Sequence, residues 1–360
     1  MDTTEIAGDS DPASLVHHER LRYIDIAKFI GIFILFFEHT GNWVQLAGHY
    51  NLIKIWICSF HMPLFFILYG IVASSKARRS MPQWFDKRIR SLLVPYLLWA
   101  LIYAAAINRN FFFGVAWGTN PSLGVAGVNQ VLWFLPAMFL AATIDQLFIE
   151  LKALIHVSDK VWADLLILAI LLLAGFYGHK EVIALKMPYG FWFSFDISCI
   201  GAAFIVAGRI IKKSVFWLYK KPYVLKIAAA LGCCLAGAFI ANHNTPSEYW
   251  VTVMACGFYG KHFILFFVTA CLSTFGIIAL SMCLEKIRLL SWLGEGTLFL
   301  MAVHYLIFPH TVVWCSNWFP VGMRFHNVLL PFANAAICSA ICIPLLFVCE
   351  RYIPALKGKA

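Results

Sequence analysis

Apolar residues run through this chain in long unbroken stretches, separated by short clusters rich in Lys, Arg, Gly, Asn and Pro. A helix needs about 18 to 20 such residues to cross the hydrocarbon core of a bilayer. Runs of that kind fall near 24–40, 52–74, 91–107, 129–148, 162–178, 192–211, 223–241, 263–283, 289–308 and 328–349. The pattern predicts an all-α protein, a polytopic membrane helix bundle of about ten transmembrane helices. The runs lack the strict alternation of barrel strands, and a spanning backbone must satisfy its own hydrogen bonds.

Composition agrees with a bilayer as the solvent. The 360 residues are 61% hydrophobic and 13% charged, with a mean hydropathy of +0.78. A soluble domain is closer to half apolar and a quarter charged, and a disordered chain is poor in the aromatics that make up 16% of this one. The net charge of +10 does not point to nucleic acid, because the basic residues are grouped between apolar runs. One set of alternate connections holds Lys76, Arg78, Arg79, Lys87, Arg88, Arg90, Lys212, Lys213, Lys220 and Lys221 among others, whereas the other set holds Arg109, Lys180, Lys186, Lys261 and Arg324. That asymmetry predicts both termini on the cytoplasmic side. The expected organisation is a mobile cytoplasmic tail over 1–20, a transmembrane domain over 21–352 and a short basic tail over 353–360. The acidic start has no cleavable-leader pattern, so the first helix is expected to persist. Eleven cysteines, mostly inside apolar runs, suggest neither a disulfide framework nor a zinc site.

The outer loop 108–128 carries Phe111, Phe112, Phe113 and Trp117, and the loop 309–327 carries Trp314, Trp318 and Phe319. An interfacial aromatic belt explains them first, and sugar stacking second.

Ionisable side chains at membrane depth are costly unless paired or wetted, so each marks a candidate for function. The first predicted helix holds Asp25, Lys28, Glu38 and His39. Lys28 and His39 are 11 residues apart, three turns plus about 20°, which puts them on one face roughly 16 Å apart along the axis. Two readings of Lys28 stand: a side chain snorkelling to the headgroups while paired with Asp25, or the base of a polar stripe aimed into the bundle. His39 is either an interfacial histidine or a catalytic one. The second helix brings His61 beside Pro63, which is expected to kink it. The ninth brings Glu295 near one end and His304 in its outer half. His39, His61 and His304 at similar depth outline a polar cavity. They lack the local spacing of a metal motif, and no metal is expected. Arg88 and Arg90, just below the third helix, have the guanidinium chemistry that suits phosphates.

These residues fall into a recognisable order. Arg22-Tyr23-Ile24-Asp25 precedes Lys28-x10-His39, and Phe60-His61-Met62-Pro63-Leu64-Phe65-Phe66 leads to Tyr69-Gly70. Lys87-Arg88-Ile89-Arg90 then runs to Pro95-Tyr96, followed by Trp133-Phe134-Leu135 and by Leu293-Gly294 through His304. In this the chain resembles the acyltransferase-3 family of bacterial integral-membrane O-acyltransferases, which includes envelope-glycan O-acetylases of the fucose 4-O-acetylase type. The departures are Tyr69, where relatives usually have Ser, and Glu295-Gly296-Thr297, where they are often Ser-rich. No hydrolase-like soluble domain is expected after the membrane part.

The resemblance implies transfer of an acyl group, acetyl first, from cytoplasmic acetyl-CoA or another acyl-CoA. The acceptor would be a hydroxyl of an envelope glycan or lipid-linked saccharide. It implies His39 as general base or transient acyl acceptor and Lys28 as the group that orients the donor. Asp25, Glu38, His61, Trp133, Glu295 and His304 become acceptor or pore-lining candidates, and Arg88 and Arg90 candidates for CoA phosphates. The implied location is the bacterial cytoplasmic (inner) membrane, with the lipid bilayer and the glycan as partners, no nucleic acid, and self-association left open. The competing class is an ion-coupled transporter or glycan flippase in which the same ionisable groups relay protons; the lack of a visible inverted repeat counts against it.

Overall fold

The structure is a computed structural model that describes residues 21–73, 80–107, 131–185, 187, 191–245 and 251–358. The expected tail over 1–20, the basic residues Lys76, Arg78 and Arg79, and the aromatics Phe111, Phe112, Phe113 and Trp117 lie outside those residues.

The chain is a helical bundle. Its helices are α1 (Arg22–Thr40), α2 (His49–Cys58), α3 (His61–Val72), α4 (Met81–Arg88), α5 (Val94–Ile107), α6 (Phe134–Leu154) and α7 (Val161–Ala184). They continue with α8 (Phe195–Tyr219), α9 (Tyr223–His243), α10 (Phe263–Cys283), α11 (Arg288–Glu295), α12 (Thr297–Trp318) and α13 (His326–Tyr352). Among the described residues, nine helical stretches are long and apolar enough to cross a membrane, with α2–α3 and α4–α5 each acting as one. The tenth is α1, whose 19 residues reach a comparable length; only Asp25, Lys28 and Glu38, with Arg22, keep it below the apolar criterion. With ten crossings the two described chain ends share one end of the bundle, called here the tail end.

Three spans are broken, each for a local reason. Pro63 cannot donate to Ser59 and its ring would clash with that carbonyl, so the second span stops at Cys58 and restarts at His61. This is a break and not the kink expected from sequence, and it leaves Pro63 in a first turn, where no donor is needed. Pro95 likewise lacks a donor, and Ile89–Leu93 answers with one π-helical turn between α4 and α5. The ninth span, expected to be continuous over 289–308, divides at Gly296 into the short α11 and the spanning α12. After α13 the chain does not trail away. Pro354–Lys357 forms a 3-10 turn, Trp99 donates its indole N–H to the Leu356 carbonyl at 2.9 Å, and the buried Lys357 pairs with Glu350.

The centre of the bundle is α1, α3 and α8. Helix α1 packs on α3, α10, α11, α12 and α13, and α8 on α3, α6 and α7. Helices α3 and α8 come together backbone to backbone: a Cβ on Gly70 would collide with the Ile205 carbonyl, and one on Gly208 with the Ile67 carbonyl. Such small-residue seams replace the hydrophobic effect, which drives no association inside lipid. Helices α7 and α9 are only 22% buried over their apolar windows and present Leu165, Leu166, Leu173, Leu231, Leu235 and Phe239 outward, as lipid-facing surfaces do. At the tail end α6, α7 and α8 share a buried ion network. Arg209 contacts Asp145 at 2.9 Å and Asp164 at 3.2 Å, and Lys152 reaches Asp164 at 2.9 Å.

Candidate active site

Toward the end of the bundle away from the tails, a cavity of about 470 Å³ opens between the last turns of α1, the α2–α3 break, residues 131–133, residues 251–255 and the first half of α12, where His304 lies and not in the outer half expected of its span. Glu38, His39, Asn42, Lys54, His61, Trp133, His304 and Tyr305 line it.

The hydrogen bonds around His39 fix which nitrogen is available. His304 is fully buried, and its Nδ1 lies 2.6 Å from the Met301 carbonyl oxygen. A carbonyl only accepts, so His304 Nδ1–H donates and, in the neutral ring, Nε2 is left as an acceptor. That Nε2 sits 2.9 Å from His39 Nδ1, which must therefore be the donor of this bond. The nitrogen of His39 left to take a proton is Nε2. It lies 3.3 Å from Glu38 Oε2, so a proton taken there arrives next to a carboxylate.

The surrounding side chains close a ring. Glu38 Oε1 pairs with Lys54 Nζ at 2.8 Å, and Lys54 also reaches Asn42 Oδ1 at 3.3 Å. Asn42 hydrogen-bonds to Tyr305, whose ring stands edge-on to His39 at 5.4 Å and to His304 at 5.0 Å. The two imidazoles stack at 5.2 Å, and Phe36 and Phe308 hold His304 from other sides at 5.0 and 5.3 Å. With both rings confined by packing and bonding, the site is pre-organised.

The backbone beneath is equally anchored. Tyr50 accepts from the Gly41 amide at 3.0 Å and donates to the Glu38 carbonyl at 2.5 Å, which caps the end of α1. Asn334 of α13 donates to Thr40 Oγ1 at 3.0 Å, and Thr40 donates to the Phe36 carbonyl at 3.0 Å. His61 Nδ1–H donates to the Ile57 carbonyl at 2.9 Å, tying the α2–α3 break and leaving Nε2 as that ring's acceptor.

Of the residues singled out in the sequence, the fold gathers Glu38, His39, His61, Trp133 and His304 in this one cavity. The others lie elsewhere. Lys28 pairs with Asp25 at 3.0 Å toward the tail end and does not line the cavity. Arg88 lays its guanidinium over the Tyr69 ring at 4.9 Å and the Trp84 ring at 5.6 Å. Arg90 is exposed and pairs with Asp86 at 2.9 Å. Glu295 sits at the α11–α12 break, nine residues before His304. Among the described residues, no group of three or more His, Cys, Asp or Glu side chains is arranged to hold a metal ion.

Sequence reasoning missed Lys54, Asn42, Tyr305 and the segment 251–255. Lys54 carried a usable signal, since it is an ionisable residue inside the apolar run that begins at Leu52. Asn42 lies just past a helix end, and the segment reaches the cavity only through long-range packing, so neither had one.

Comparison with known proteins decides the class. A family model for an acyltransferase domain, acyltransferase-3, matches residues 21–349. The chain belongs to the acyltransferase-3 family. The match runs from the start of α1 almost to the end of α13 and so takes in every element that builds the cavity. An acyltransferase-3 chain with this many crossings is a multi-pass membrane acyltransferase. No curated protein and no solved structure matches it.

Proposed function

We propose that this acyltransferase moves an acyl group, acetyl first, from cytoplasmic acyl-CoA to a hydroxyl of an envelope glycan or lipid-linked saccharide, in a bacterial cytoplasmic membrane. The observation that carries the reading is the orientation of His39: its Nδ1 is committed to His304, and its Nε2 borders a cavity beside Glu38.

In this reading the acceptor hydroxyl lies against His39 Nε2. Its oxygen attacks the thioester carbonyl carbon, a C–O bond forms, and the hydroxyl proton passes to Nε2. The resulting imidazolium is flanked by the Glu38 carboxylate on one side and the His304 acceptor on the other. As the C–S bond breaks, the same proton goes to the departing thiolate. The products are an ester and free CoA thiol, and His39 returns to its starting state. Lys54 holds Glu38 in place, while His61 and Trp133 supply an acceptor and an aromatic surface for the saccharide. Lys28, Arg88 and Arg90, toward the tail end, serve the anionic donor, and Asp25, paired with Lys28, and Glu295 lie on that side as well. Twenty or so ångströms of protein separate the two groups, on the order of the rise along most of α1, so the thioester end of the donor must reach up into the bundle.

The test uses inverted membrane vesicles containing the protein or its His39→Ala variant, supplied with labelled acetyl-CoA. Label entering the glycan or glycolipid fraction only with His39 present supports the proposal. No incorporation by folded wild-type protein with its acceptor pool present refutes it. Label trapped on the wild-type protein itself under rapid quench, and lost in His39→Ala, would replace direct transfer by an acyl-histidine relay.

A further inference from the structure

The lining of the cavity divides by element. Its polar groups come mainly from α1, α2 and α12. Much of its apolar part comes from Met62, at the start of α3, and from Val253, Met254 and Ala255 in the far-end segment. That segment is a small hairpin. Val253 and Phe258 exchange backbone hydrogen bonds at 2.8 and 3.1 Å, with a 3-10 turn over Met254–Cys256 between them.

The hairpin is fastened on several sides. Thr252 Oγ1 bonds to Ser59 Oγ at 3.0 Å, in the gap that Pro63 forces between α2 and α3. The Asn244 side chain donates to the Tyr259 carbonyl at 3.0 Å and accepts from the His262 amide at 2.7 Å. Gly257, at φ +69°, lies so close to the His179 ring that a Cβ would collide with it, and that ring is held by Asp196 at 2.8 Å. A wall bonded in this way cannot easily yield to a larger occupant. Met254 is 2% exposed and Met62 7%, so both side chains fill space at its inner surface.

We infer that Met254 and Met62 close the apolar part of the cavity around the acyl group and restrict the donor to short unbranched chains such as acetyl and propionyl. This rests on the acyl-transfer reading above and names the donor class within it. The cavity is in the lower half of the usual range for small-molecule sites, about 300–1,000 Å³. It has to hold the thioester carbonyl and the acceptor hydroxyl together beside His39, which leaves the apolar wall of Met62 and Met254 to meet the acyl chain. Methionine is an unbranched filler, and truncating it to alanine vacates the length of a short alkyl chain. One methylene more or less in an apolar pocket changes discrimination by about 10–200-fold.

The experiment compares kcat/KM for acetyl-CoA and butyryl-CoA in inverted membrane vesicles that hold the acceptor pool, for wild type, Met254→Ala and Met62→Ala. Both donors are measured on the same preparation, so the ratio is insensitive to the amount of folded protein. The expected result is a wild type that strongly prefers acetyl, and a butyryl-to-acetyl ratio raised about tenfold or more in at least one variant. A wild type that uses butyryl as well as acetyl overturns the inference, as does a smaller rise in both variants. A wild type that transfers from neither donor fails the acyl-transfer reading itself, and this inference with it.

Discussion

Two clusters of buried charge sit at opposite ends of this bundle, and they are built for different ends. At the tail end Asp145, Asp164, Lys152 and Arg209 join α6, α7 and α8 in a network of ion pairs in which both signs are equally represented. Around His39, Glu38 and Lys54 make an equally close pair at 2.8 Å, but this pair, with His39 and His304, lines a cavity. The first cluster holds three helices in register. The second sets an imidazole nitrogen and a carboxylate side by side in the wall of a cavity. Charge at membrane depth is expensive in both places, so its cost alone does not separate structure from chemistry. Access to a cavity does.

The comparison can be broken first at its most sensitive point. His39→Ala removes the proposed base, and acyl transfer should fall by about 10²–10⁴-fold, while stability should fall only by the lost hydrogen bond to His304, about 1 kcal/mol; a label-transfer assay beside a thermal melt reads both. Arg209→Met should do the reverse. It leaves Asp145 and Asp164 buried with one cation fewer, a loss of about 3–5 kcal/mol, seen as a lower unfolding midpoint with transfer per folded molecule retained. His304→Ala sharpens the account of the site, because it frees His39 to adopt the other tautomer. The expected cost is about a hundredfold in kcat, with KM for acyl-CoA largely unchanged. The smallest effect is expected from Asn334→Ala. It removes one buried hydrogen bond to Thr40 beneath the site, worth about 1 kcal/mol of stability, and should lower activity only modestly.

Much of this fold was legible because lipid imposes a simple rule. A crossing needs a long apolar run, and among the described residues the ten runs read from the sequence correspond to nine helical stretches of that kind and to α1. What failed was local. Pro63, Pro95 and Gly296 each interrupt a span, yet an apolar run looks the same whether its backbone is continuous or not. The candidate site was partly legible for the reason that ionisable residues in such runs stand out: Glu38, His39, His61 and His304 do meet at one cavity. Helical periodicity put Lys28 and His39 on one face and left two readings of Lys28, of which the structure displays the pairing with Asp25 one turn away, as an i, i+3 pair readily makes. The ring of Lys54, Asn42 and Tyr305, and the hairpin over 251–258, arise from contacts between distant segments, and no pattern within one helix announces them.

The central claim is that a buried charged group does chemistry here only where it faces the cavity. It is tested most directly by measuring acyl transfer per folded molecule and the thermal midpoint together, on matched preparations of wild type, His39→Ala and Arg209→Met. The account predicts that His39→Ala melts close to wild type and does not transfer, whereas Arg209→Met melts much lower and transfers normally per folded molecule. A His39→Ala protein that transfers at the wild-type rate, or an Arg209→Met protein that melts normally and has lost transfer, would contradict it.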